Sequence, residues 1–142
     1  MAKFRDKKIY DIKEILSKVI YSEVNPKGRN KIKLDIDGDL IKMNSLRLNV
    51  FKEKGVKCVS CGIEGQFFAK EKPVENESYH FNLYAVNSDG EEVLMTKDHM
   101  VAKSKGGLDH LDNMQTMCTK CNKEKDSMSI EEFEEFKKSK VS

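Results

Sequence analysis

No stretch of this sequence is apolar for the roughly 20 residues that a membrane-spanning helix needs, and the opening MAKFRDKKIYD lacks the apolar run of a signal peptide. Both absences point to a soluble, intracellular protein of the cytoplasm with no membrane partner. Cysteine is scarce: four residues, in the two Cys-x-x-Cys pairs Cys58/Cys61 and Cys118/Cys121. Two disulfides would suit a secreted chain, whereas inside a cell four thiolates suit one tetrahedral zinc, Zn2+, held by Cys58, Cys61, Cys118 and Cys121. Net charge is almost absent, +2 from 26 basic and 24 acidic residues, so the total says little about partners. Asp35, Asp37 and Asp39 alternate, but no glutamate closes a twelve-residue loop behind them, which excludes an EF-hand calcium site. No helix-turn-helix or finger array is evident either, so no target sequence can be read.

The 142 residues, 38% hydrophobic, support one compact domain with a modest core, for which a metal staple is useful. Their charge is unevenly spread. Residues 1–57 carry 15 lysines or arginines against 8 acidic residues, and residues 58–142 carry 11 against 16, so the front is +7 and the back −5. A basic front suits a polyanion gripped through its phosphates; a lysine-rich solvated face is the plainer alternative.

Ile9, Ile12, Ile15, Leu16, Val19 and Ile20 recur at three- and four-residue steps, which predicts an amphipathic helix over 7–23, ended by Asn25-Pro26-Lys27-Gly28. Alternation over 31–35 and 40–43 about Asp37-Gly38-Asp39 predicts a β-hairpin. Asn44 or Ser45 can cap a helix that ends at Gly55 with Leu46, Val50 and Phe51 inward. The charged stretch 64–78 reads as a loop, with Phe67 and Phe68 packing under a sheet. Residues 79–86 and 92–100 alternate across the turn Asn87-Ser88-Asp89-Gly90, a second hairpin with Asp98 and His99 at its far end. Residues 114–117 form a short strand, Cys118 opens a helix, and the capping box Ser129-Ile130-Glu131-Glu132 starts a last helix reaching about Lys138.

The chemistry is concentrated between Met95 and Lys125. Asp98 offers a hard oxygen ligand and His99 a ring nitrogen able to take a proton near neutral pH. Asn122, directly after Cys121, adds a neutral oxygen. If the chain folds back so that Asn122 meets the strand of Asp98, the two can share a divalent cation while His99 activates water, which is the chemistry of phosphodiester hydrolysis. Oxygen ligands favour Mg2+ or Mn2+ at that second metal site. Lys103, Lys105, Lys120, Lys123 and Lys125 surround this unit as candidate phosphate contacts. His80 and His110 read as incidental polar residues.

These motifs resemble the HNH endonucleases. The resemblance rests on Asp98-His99, then Ser104-x-Gly106-Gly107, Asn113, and Cys118-x-x-Cys121-Asn122-x-x-Lys125, with Cys58-x-x-Cys61-Gly62 upstream marking the zinc-bound branch. It covers roughly 47–137 and implies an α+β fold, a ββα-metal core stapled by a four-cysteine zinc site, here with an N-terminal helix and β-hairpin and a C-terminal helix. It further implies His99 as general base, Asp98 and Asn122 as ligands of the catalytic metal, Asn113 as the residue that fixes the loop, and DNA as substrate, with RNA left open. Family members often carry proline where this chain has Ala102, which implies a looser loop. A single HNH site nicks one strand, and a homodimer could break both. On this reading residues 1–45 form a basic segment for nucleic-acid or partner contact and residues 46–142 the nuclease domain. The rivals are a zinc-stapled nucleic-acid-binding module without catalysis and a component of a phage assembly.

Overall fold

The computed structural model describes residues 4–141, with side chains through Ser139. Its centre is a five-stranded antiparallel sheet in the order β1, β4, β5, β6, β7. These strands are Phe4–Tyr10, Gly65–Lys72, His80–Val86, Glu92–His99 and Met114–Cys118, and a separate hairpin joins β2 (Lys33–Ile36) to β3 (Asp39–Lys42). Four helices, α1 (Ile12–Leu16), α2 (Leu46–Lys54), α3 (Thr119–Lys125) and α4 (Ile130–Val141), complete the α+β architecture expected of a ββα-metal core.

The front departs from the expected helix over 7–23. Phe4–Tyr10 is instead an edge strand paired with β4, Arg5 opposite Glu71 and Ile9 opposite Ala69. In this extended backbone Tyr10 is buried while Ile9 is 60% exposed, so the apolar spacing that mimics a helix does not define one buried face. Asp11 then caps a helix of only five residues, its carboxylate accepting from the Glu14 N–H. Ile15 and Val19 from this segment still reach the core. Beyond it the chain runs to the motif loop, where Val24 bridges His110 and the Leu111 N–H donates to the Glu23 carbonyl.

The second departure is 64–78, where the charge pattern suggests a loop. Residues 65–72 form β4, an interior strand between β1 and β5. Its charge hides its burial: Lys70 pairs with Asp39 at 2.7 Å, and Glu71 pairs with Arg5 at 2.6 Å while accepting from Asn82 and Tyr84. Paired in this way, both side chains can be buried. Phe68 enters the core as expected, and Phe67 stacks on Tyr84.

The remaining elements agree with the sequence. The β2–β3 turn carries Asp37 and Gly38 at positive φ, as a two-residue hairpin loop requires. The Ser45 hydroxyl caps α2 by accepting from the Leu48 N–H. At α4 the Ser129 hydroxyl accepts from the Glu132 N–H while the Glu132 carboxylate accepts from the Ser129 N–H, the reciprocal capping box. Phe133 buries this helix against the core. Under the motif, α2 packs Leu46 and Val50 against Leu111 and Met114, a small second cluster that supports the loop between β6 and β7.

Candidate active site

Strand β6 delivers Asp98 and His99, and β7 returns beside it with Gln115 opposite Asp98 and Met114 opposite His99. The return is closed by one side chain. Asn113 accepts from the Val101 N–H through Oδ1, donates through Nδ2 to the carbonyls of Val101 and Leu108, and accepts the Met100 N–H on its own carbonyl. Gly107 is required at this crossing, because a Cβ there would lie 1.7 Å from the Val101 carbonyl oxygen. Ala102 takes φ −61°, the value a proline ring would impose, so alanine leaves the path of the chain as proline would set it.

Helix α3 then brings Asn122 back to β6, its amide donating to the Lys97 carbonyl at 3.4 Å. Asp98, His99 and Asn122 thus line one cleft of about 280 Å³, together with Lys97, Lys103 and Asp126. Asp98 is buried, and its Oδ2 accepts from the Gln115 amide at 2.9 Å and pairs with the Lys125 ammonium at 3.1 Å. Lys125 also donates to the His99 carbonyl. It is therefore an internal cation of the site, a different position from the surface contact that its sequence suggests.

His99 is held by a residue that sequence reasoning passes over. Its Nε2 lies 2.6 Å from Asp109 Oδ1, and the other oxygen of Asp109 accepts from Lys103 at 3.0 Å. Those two bonds, His99 first and Lys103 second, bring the Asp109 carboxyl down to about 2. Asp126, at φ 50° just past α3, is an acidic residue lining the cleft that sequence reading also misses. Among the other lysines, Lys105 pairs with Glu132 of α4, while Lys120 and Lys123 stand exposed on α3. His110 is braced on the front segment, its Nε2 3.3 Å from Glu23 and its Nδ1 accepting from the Asp112 N–H.

At the other end of α3 the four cysteines converge. Their sulfurs all lie within 4.8 Å of one another, and Cys61 and Cys118 are 3.8 Å apart. Zinc–sulfur bonds of about 2.3 Å in a tetrahedron separate the sulfurs by about 3.8 Å, so this set can hold a zinc ion. Burial raises the Cys118 and Cys121 thiols. Cys58 feels the same burial, but the backbone amides of Cys61, Cys118 and Ser60 outweigh it and bring this thiol to about 7. Gly62, at φ 81°, turns the chain behind the first pair, and Lys137 of α4 donates to the Ser60 hydroxyl over it.

No curated protein and no solved structure matches the chain. Residues 87–127, from the turn before β6 to just past α3, match the family model of the HNH endonuclease. No helix among the described residues is long and apolar enough to cross a membrane. The β6–β7–α3 unit and the clasped loop lie within the segment that matches this family, and the four-cysteine cluster is formed partly by it and partly by Cys58 and Cys61 upstream.

Proposed function

We propose that the protein is a metal-dependent endonuclease that hydrolyses DNA phosphodiester bonds. The observation that supports this most is the meeting of Asp98, His99 and Asn122 in one cleft from a strand and a helix. Asp98 and Asn122 would hold the divalent cation, Mg2+ or Mn2+, and their oxygens suit a hard ion. When bound, that cation supplies electrostatic stabilisation of the phosphate and of the leaving oxygen. Gln115 and Lys125 both engage Oδ2 of Asp98 and so fix its carboxylate, which leaves Oδ1 as the ligand atom.

His99 is the general base. Asp109, ionised throughout the neutral range, can only accept a hydrogen bond, so the neutral imidazole carries its proton on Nε2. Nδ1 keeps its lone pair and takes the proton of the attacking water. Asn113 acts on the loop rather than on substrate, since its amide is spent on the backbone of Val101 and Leu108. The four thiolates would hold a structural zinc with no open position for water. Lys103 and Lys105 on the loop and Lys123 on α3 would meet phosphates. Residues 46–142 form the nuclease unit in this reading, with residues 1–45 as its basic attachment.

The test is cleavage of supercoiled plasmid with Mg2+ or Mn2+ by the wild type, His99→Ala and Asn122→Ala, each checked for retained zinc. Nicking by the wild type that falls by at least about 10²-fold in both variants is expected. A folded, zinc-loaded wild type that shifts DNA on a gel but cuts nothing would leave the non-catalytic binding module in its place.

A further inference from the structure

Beside the cleft lies a second hollow of about 290 Å³, lined by Lys42 of β3, Arg47 of α2, His80 of β5 and Lys97 of β6. No carboxylate lines it. Elsewhere the two fully buried lysines among the described residues, Lys70 and Lys125, carry acidic partners, Asp39 and Asp98. Lys42, Arg47 and Lys97 form no ion pair among the described residues, although Glu71 acts electrostatically on Arg47 and Asp109 on Lys97: Lys42 donates to the Pro26 carbonyl, Arg47 to the Phe81 carbonyl, and the Lys97 ammonium makes no hydrogen bond. All three are partly buried, and burial lowers the pKa of Lys42 and Arg47. Arg47 and Lys42 lower that of His80 as well, after burial, while Glu77 opposes them. Holding like charges together in a hollow that burial has partly desolvated costs energy that a bound anion recovers. The first turn of α2, through Ser45 and Leu48, adds the same sign at the wall.

We infer that this hollow, framed by Lys42, Arg47, His80 and Lys97, is a binding site for a backbone phosphate of the nucleic-acid strand lying in the neighbouring cleft. Lys97 lines both spaces, so one chain of phosphates can pass from the cleft into the hollow. Lys42 and Arg47 come from the basic front of the chain, which this contact joins to the HNH segment. The inference deepens the nuclease reading by assigning where the strand leaves the cleft, and it rests on that reading for the strand's direction only.

The experiment is binding of a labelled DNA duplex without added divalent ion, so that nothing is cut, over a range of salt concentrations. Lys42→Met, Arg47→Met and Lys97→Met are compared with Lys18→Met, an exposed lysine that lines neither the cleft nor the hollow, after zinc content and melting have been checked. Lys97→Met, whose ammonium makes no bond, keeps the test open if Arg47→Met fails to fold. One phosphate contact contributes about 0.9 to the slope of log K against log salt. The expected result is a slope reduced by about one and roughly tenfold weaker binding for Lys42→Met and Lys97→Met, with Lys18→Met unchanged. Unchanged slopes in folded Lys42→Met and Lys97→Met would overturn the inference, as would an effect confined to Lys97→Met, which belongs to the cleft. A wild-type melting temperature raised by millimolar inorganic phosphate with no change in the DNA slopes would assign the hollow to a free anion and also overturn it. Reduced slopes in a protein that cleaves no plasmid would uphold the phosphate site while removing the hydrolytic reading.

Discussion

The two ends of the β6–β7–α3 unit are built from adjacent residues by opposite means. Cys121 and Asn122 are neighbours on α3, yet the first joins three other sulfurs and the second reaches a cleft of unlike groups. At the thiol end all four donors are of one kind and can hold an ion between them. At the cleft end each group is held by a different partner: Asp98 by Gln115 and Lys125, His99 by Asp109. The first arrangement suits a staple and the second suits chemistry, since internal pairing orients groups without consuming every lone pair.

The largest effect should come from the thiol end. Cys118→Ser is expected to lose both the metal and the cooperative fold, because site formation and folding are one process when the donors lie far apart in the chain. Circular dichroism alongside metal analysis reads this, and a native spectrum without zinc would show the staple to be dispensable. The cleft end is expected to resist single changes better, with one exception. Lys125 and Asp98 are 0% and 7% exposed at their side chains, so Lys125→Met strands a buried carboxylate and should lower the unfolding free energy by roughly 3–5 kcal/mol. A urea titration showing less than about 1 kcal/mol would mean that Asp98 does not depend on this cation.

Asp109→Asn should sharpen the contrast further by leaving fold and zinc intact while cutting kcat roughly 10–100-fold at unchanged KM. The pH dependence follows from the same pair. The Asp109 carboxyl is lowered to about 2, by His99 and then Lys103, against about 3.9 in an unfolded chain. The pairing it contributes is therefore complete above about pH 4 and is lost only as pH falls through about 2. Asp109 then adds no second proton to the acid limb of kcat between about pH 4 and 8, and a rate profile in which protonation of Asp109 contributes to that limb would contradict its pairing with His99. The smallest effect belongs to α4, which touches both ends through Lys105–Glu132 and Lys137–Ser60. Ser129→Ala should cost about 0.5–2 kcal/mol in thermal denaturation, with cleavage retained.

The legible parts of the molecule are those specified over short spans. The Cys-x-x-Cys turns, the Asp37-Gly38 hairpin, the caps at Ser45 and Ser129 and the order of the β6, β7 and α3 residues all depend on neighbours within a few positions. The front misleads for the complementary reason: whether 4–10 extends or coils depends on an open edge of β4, which lies some sixty residues away. Strand β4 is hidden because Lys70 and Glu71 look like solvent residues until Asp39 and Arg5 are beside them. Asp109 offers no signal, being one acidic residue among several in a loop.

By itself the sequence determined the donor chemistry: four sulfurs, one imidazole, a carboxylate and an amide at spacings that local turns can bring together. Only the tertiary structure decided which charges became partners. The desolvation of Lys125 and Glu71 and the unpaired cluster of Lys42, Arg47 and Lys97 arise from elements far apart in the chain, and the pinning of His99 by Asp109 arises from how the loop between them closes. Coulombic interactions strengthen at short distance and on removal from water, and both conditions exist only after the chain has packed.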